Sequence, residues 1–147
     1  MKVTVDTTIN GSKESVWKVI TDIKGSEATI EDIEVLDEPD QGLVGLKWRE
    51  TRTMFGKQAT EVMWITDAVE NESYQTRAES HGAIYISRLA IAPVESGCQL
   101  TFEFDGTPVK LATKIIGALT GFMFKGATAK ALRKNLEDIK NAVEGST

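Results

Sequence analysis

Hydrophobic and polar side chains alternate along Lys2 to Ile9. Val3, Val5, Thr7 and Ile9 share one side, and Lys2, Thr4, Asp6 and Thr8 the other. A period of two predicts a half-buried strand. Asn10-Gly11-Ser12 marks a turn, and Ser12 or Asn10 suits the N-cap of a helix with Glu14 and Ser15 in its first turn. That helix buries Val16, Trp17, Val19 and Ile20, and Gly25 helps to end it. Asp22 to Asp40 is acidic and holds a short strand around Ile33 and Val35.

The middle of the chain reads as strands joined by short Gly-bearing turns. Val44 to Met54 meets Lys57 to Asp67 across Phe55-Gly56, and Glu72 to Ser80 meets Ala83 to Pro93 across His81-Gly82. Gln99 to Asp105 follows Ser96-Gly97. Turns this short predict antiparallel hairpins. After Pro108 the period changes. Leu111, Ile115, Leu119, Phe122, Gly126, Ala129, Leu132, Leu136, Ile139 and Val143 recur at helical spacing to about Glu144. Gly117, Gly121 and Gly126 weaken the first half and predict a kink or break near Thr120-Gly121. The order is strand, short helix, six strands, long helix. It predicts an α+β fold in which one antiparallel sheet curls around the C-terminal helix.

Turn lengths fix which side chains oppose one another. A two-residue loop at Phe55-Gly56 sets Arg52 against Ala59, Glu50 against Glu61, Trp48 against Met63 and Leu46 against Ile65. Such partners share a face, with Cβ atoms about 4.5–5.5 Å apart. The same logic at His81-Gly82 sets Ala78 against Tyr85, Thr76 against Ser87 and Tyr74 against Leu89. In the last hairpin it sets Ile91 against Phe102 and Leu89 against Phe104. The resulting inner face has large apolar residues at one end. Elsewhere it has small ones: Ala59, Ala78, Ser80, Ala83 and Ser87, with Gly117, Gly121, Gly126 and Ala127 from the helix. Facing layers of small residues leave room that a close-packed core would fill. Glu50, Arg52, Glu61 and Tyr85 fall among them. Apolar walls with a few convergent polar groups describe a ligand pocket.

Composition narrows the function. The chain has 147 residues, 41% hydrophobic and 27% charged, enough for one domain with a real core. Seventeen Lys and Arg against 22 Asp and Glu give a net charge of −5, which argues against a nucleic-acid partner. One Cys excludes an internal disulfide, and one His excludes the usual His/Cys zinc sites, so neither metal nor cofactor is expected. No window approaches the roughly 20 apolar residues of a spanning helix, and no signal peptide is visible. The cytoplasm is the expected location, with no stable membrane insertion and a monomer or homodimer as the state.

The order of four stretches carries a resemblance: "SKESVWKVITDI", "GLVGLKWRETRTMFGKQATEVMWIT", "YQTRAESHGAIYIS" and "FMFKGATAKALRKNLEDIKNAVE". Together they resemble the helix-grip superfamily of START domains, plant pathogenesis-type ligand carriers, coenzyme Q-binding proteins and polyketide cyclases/dehydrases. The similarity is strongest to the bacterial polyketide cyclase/dehydrase branch and spans essentially the whole chain. It implies a seven-stranded sheet gripping the long helix, with one or two short helices after the first strand. It also implies a hydrophobic cavity between sheet and helix. It implies no single reaction, because members bind lipids, quinones, polyketides or hormones and only some are enzymes.

The candidate ligand-binding set is Trp48, Glu50, Arg52, Glu61, Met63, Tyr85, Phe102, Ile115, Leu119, Phe122 and Met123. The candidate proton-transfer groups are Glu50, Glu61 and His81. Each has a plainer reading. Glu50 and Glu61 are a carboxylate pair in which one pKa should rise, or a polar cluster neutralised by Arg52. Arg52 holds a ligand oxygen, or pairs with those carboxylates. His81 is a base at a cavity mouth, or a turn residue beside Gly82. Tyr85, more than Tyr74, offers a hydroxyl to the cavity, or is a core ring with its tip at the rim. Cys98 lacks the neighbours of a nucleophile and reads as a small strand residue. Lys125, Lys130, Arg133, Lys134 and Lys140 read as a solvated helix face rather than a membrane contact. The expected ligand is a hydrophobic or aromatic small molecule. The alternatives are an aromatase/cyclase or dehydratase and, more remotely, a protein-protein adaptor.

Overall fold

The structure, a computed structural model, describes residues 2–23, 32–54, 57–80, 82–109 and 111–145. Within these, the side chains of 52–54, 57 and 111–124 lie outside the description. The elements run β1 (Lys2–Ile9), α1 (Lys13–Ile20), β2 (Asp32–Asp37), β3 (Lys47–Met54), β4 (Lys57–Val69), β5 (Ser73–Ser80), β6 (Ala83–Val94), β7 (Gly97–Pro108) and α2 (Leu111–Gly145). The strands form one seven-stranded sheet in the order β1-β7-β6-β5-β4-β3-β2, with every pair antiparallel. The chain therefore winds hairpin by hairpin from β2 to β7, and β1 closes on β7.

Local chemistry accounts for the elements. Val3, Val5 and Ile9 are buried while Lys2, Thr4, Asp6 and Thr8 are exposed, as a period of two requires. Ser12 caps α1: its hydroxyl accepts from the Ser15 amide at 3.1 Å, and Glu14 sits in the first turn. α1 turns Val16 and Ile20 into the core. The α1 segment is tied to β5 by Tyr74, whose hydroxyl donates to the Ile20 carbonyl at 2.9 Å. Trp17 meets the Tyr74 ring edge-on at 6.1 Å.

The first two hairpin registers match the sequence reading pair for pair, including Glu50 with Glu61, Trp48 with Met63 and Ala78 with Tyr85. The last hairpin differs. Leu89 lies opposite Phe102, and Ile91 opposite Leu100. Val94 pairs with Gly97, so the two-residue turn is Glu95-Ser96 and Gly97 belongs to the strand. Its φ of +146° and the 2.2 Å that would separate a Cβ from the Ile9 carbonyl oxygen reserve the position for glycine. The register moves by two residues, so the same side chains still face inward. β4 carries an extra residue at Thr66, where its pairing with β5 shifts between Ile65 and Asp67. Ile65 then opposes Thr76, and Ala68 opposes Tyr74.

The expected break at Thr120-Gly121 is absent, since α2 runs unbroken from Leu111 to Gly145. An interior glycine costs about 1 kcal/mol relative to alanine. Tertiary packing outweighs such a cost, and α2 packs on β1, β7 and α1. Leu132, Leu136 and Val143 of α2 join Val3, Val5, Ile9, Val16, Ile91 and Leu100 in the core. The loop after β1 closes on the far end of α2. The Asn10 amide donates to the Glu144 carboxylate at 2.9 Å. A Cβ on Gly11 would come within 2.7 Å of Val143 Cγ1, so glycine permits the approach.

Candidate functional site

The inner face of the sheet divides along its strands. At one end Ile9 and Leu100 are fully buried, together with Val16 of α1 and Leu136 and Val143 of α2 that pack there. At the other, Ala59, Glu61, Met63, Tyr85, Phe102 and Phe104 are only half-buried, although they lie on the same face. Small side chains separate the large ones there. Ala78 stands between Met63 on β4 and Tyr85 on β6. Ser87 stands between Thr76 and Phe104.

Glu50 is the buried carboxylate of this region, at 4% exposure. Its neighbours across the strands are Ile33 on β2 and Glu61 on β4. Arg52 follows on the same face, opposite Ala59, which puts a cation's position two residues along from Glu50. Trp48 is buried between Val35 and Met63 and belongs to the core as well as to the wall of this region. Met63, Phe102 and Phe104 pack against the same core from the open side.

Tyr85 is the group whose electrostatics bear on chemistry. Burial, and then the negative charge of Glu61, push its phenol above the ordinary value of about 10. The hydroxyl is thus a neutral donor at physiological pH. Its ring stacks on Phe104 with centroids 5.7 Å apart and planes 26° from parallel. Gly106, opposite Tyr85 on β7, is buried, and no Cβ stands between its backbone and the Tyr85 ring.

Sequence reading thus placed Trp48, Glu50, Glu61, Met63, Tyr85 and Phe102 on one face, and the structure brings them there. The side chains of Arg52, Ile115, Leu119, Phe122 and Met123 lie outside the described residues, as does His81. Tyr74 is engaged with Ile20 and Trp17, so its ring serves the fold. Gly126 is exposed, and no atom lies within 4 Å of where its Cβ would stand. It does not pack against the sheet as the helix pattern suggested. Cys98 is buried, and burial is the first cause that raises its thiol pKa, which fits a small strand residue. Lys125, Lys130, Arg133 and Lys134 are exposed, and Lys134 pairs with Asp138 at 2.6 Å. Gly106 was missed, and Phe104, which sequence reading set on the inner face opposite Leu89, was left out of the candidate set. An isolated glycine within a strand run, here between Phe104 and Pro108, signals close approach of another group.

A hollow of about 450 Å³ lies between β1 and α2, lined by Asp6, Thr7, Arg133, Glu137, Lys140 and others. It holds two anions and two cations and sits apart from the Glu50 region.

A sheet curled toward one long helix, with an open and partly polar inner end, defines the START-like, helix-grip class. Residues 1–144 match the family described as polyketide cyclase/dehydrase and lipid transport, and the chain belongs to that family. Solved structures agree in fold. A protein of Thermus thermophilus is 15% identical with a TM-score of 0.82, over 100% of this chain and 99% of its own. The Zhui aromatase/cyclase of a Streptomyces species is 14% identical with a TM-score of 0.81, over 98% and 93%. A START superfamily protein of Mycobacterium smegmatis is 18% identical with a TM-score of 0.77, over 100% and 98%. Among curated proteins, none matches this sequence. No helix among the described residues is long and apolar enough to cross a membrane.

Proposed function

We propose that the chain, acting as a single domain over residues 1–147 in the cytoplasm, binds a hydrophobic or aromatic small molecule against the inner face of the sheet. The ligand lies against Met63, Tyr85, Phe102 and Phe104 on the sheet. The observation that carries this is the set of large apolar side chains left half-buried on a face whose other end is sealed. Apolar burial supplies affinity at about 25 cal/mol per Å². Glu50, Glu61 and Tyr85 orient the polar end of the ligand.

The deciding experiment is native mass spectrometry of gently purified protein, followed by organic extraction and identification of what is released. A stoichiometric lipid, quinone or aromatic compound supports a carrier. An empty protein that also fails to take up added hydrophobic ligands overturns the reading.

One observation favours an enzymatic second reading: Glu61 acts electrostatically on a Tyr85 that stays protonated. A carboxylate beside a neutral phenol suits aldol-type closure of a poly-carbonyl chain. The carboxylate takes a proton from carbon between two carbonyls, and that carbon attacks a distant carbonyl. Tyr85 gives its proton to the new alkoxide and is reprotonated from the carboxylic acid. The new C–C bond closes the ring, and loss of the hydroxyl with a neighbouring hydrogen as water then leaves it unsaturated. Under this reading Glu61→Gln stops turnover of a poly-carbonyl substrate while binding survives. Loss of neither sends the assignment back to a carrier.

A further inference from the structure

At Gly106 the backbone of the inner face gives way to a ring. A Cβ there would lie 3.3 Å from both Cδ1 and Cε1 of Tyr85 and 3.7 Å from Cε1 of Phe104. Contacts of 3.3 Å are tighter than nine in ten real Cβ contacts, so a larger residue would shift the Tyr85 ring by a few tenths of an ångström. With glycine, the ring rests on bare backbone and stacks on Phe104. Tyr85 itself is still half-exposed.

We infer that Gly106 is a positioning residue of the ligand site: it lays Tyr85 flat beside Phe104 as an aromatic shelf that selects planar ring systems bearing an acceptor oxygen over flexible acyl chains. The inference rests on the inner face being the binding surface, as proposed above. A planar ring on a planar shelf gains stacking beyond its buried area. An acyl chain adapts its torsions to either shape and gains from area alone. The Tyr85 hydroxyl, held neutral, donates to a carbonyl on the ring, and a site built around such a bond discriminates against ligands without it.

The test uses two probes on the full chain: 2-acetylnaphthalene, a flat ring pair with one carbonyl, and cis-parinaric acid, a fluorescent acyl chain. Gly106→Ala is expected to weaken 2-acetylnaphthalene on the order of fivefold and cis-parinaric acid by less than about twofold. In a Tyr85→Leu background, Gly106→Ala should change neither, because the ring it displaces is gone. If Gly106→Ala does not fold, Phe104→Leu should reproduce the selective loss. Equal losses for both probes overturn the inference, as does an undiminished effect without Tyr85. Binding of cis-parinaric acid alone by the unmodified protein overturns the inference and leaves the inner-face reading standing. Binding of neither probe overturns that reading itself.

Discussion

The two ends of the inner face are built by the same strands and the same alternation, yet one is solid and the other open. At the solid end, Ile9 and Leu100 are fully buried. Val16 of α1 and Leu136 and Val143 of α2 cover them, at most 1% exposed themselves, and the Asn10–Glu144 hydrogen bond pins the end of α2 in place. At the open end the strands offer Ala59, Ala78, Ser80 and Ser87 between the large residues, and Glu50 and Glu61 bring charge to the face. Stability is thereby assigned to one stretch of the strands, and the ligand recognition proposed above to the other. A close-packed core tolerates little change in volume. An open end can carry polar and small residues because it contributes less to folding.

Substitutions at the two ends should separate in magnitude. Leu100→Ala at the solid end should cost about 2–5 kcal/mol, read by urea denaturation. A loss below about 1 kcal/mol would mean that the two ends do not differ as described. Tyr74→Phe sits between the ends. It leaves the Ile20 carbonyl without its 2.9 Å donor and should cost about 1–2 kcal/mol. No change would show that α1 is held by apolar contact alone.

Glu61→Gln at the open end should alter stability by no more than about 0.5 kcal/mol. It removes the second cause of the raised Tyr85 pKa, so the phenol should titrate at lower pH, followed by tyrosinate absorbance. An unchanged titration would separate the two residues electrostatically. The sign of the accompanying pH dependence follows from the shift. The folded phenol holds its proton above the unfolded value of about 10. Its contribution to stability is therefore fully present below about pH 10 and is lost as pH rises through the folded value. Tyr85→Phe should remove that part of the alkaline decline.

Much of this was legible along the chain. Period-two alternation marks β1, and Ser12 with Glu14 marks the start of α1. The short turns after Met54 and Ser80 determine that Glu50 meets Glu61 and that Ala78 meets Tyr85. These are contacts between near neighbours, and local backbone preferences specify them. The last hairpin shows where such rules fail. Ser96-Gly97 reads as a turn from its residue types, but Gly97 is held in the strand by the approach of the Ile9 carbonyl, 88 residues earlier in the chain (97 − 9 = 88). Glycine marks both situations, and only the distant partner distinguishes them.

The candidate site divides in the same way. Strand parity alone put Trp48, Glu50, Glu61, Met63, Tyr85 and Phe102 on one face. Alternation carries no information about depth, and depth depends on the element that lies above. Trp48 is sunk into the core, Tyr74 is taken by α1, and Tyr85 stays at an open edge, because α1 and the second half of α2 settle over one end of the sheet. The rest of Tyr85's character has the same origin. Its close approach to Gly106 and its stack on Phe104 come from β7, and its raised pKa from burial and from Glu61 on β4. A chain read residue by residue reveals which groups share a surface. Packing between elements far apart in sequence sets which of them are buried for stability and which remain accessible to a ligand, because burial is a property of the assembled layers rather than of any one strand.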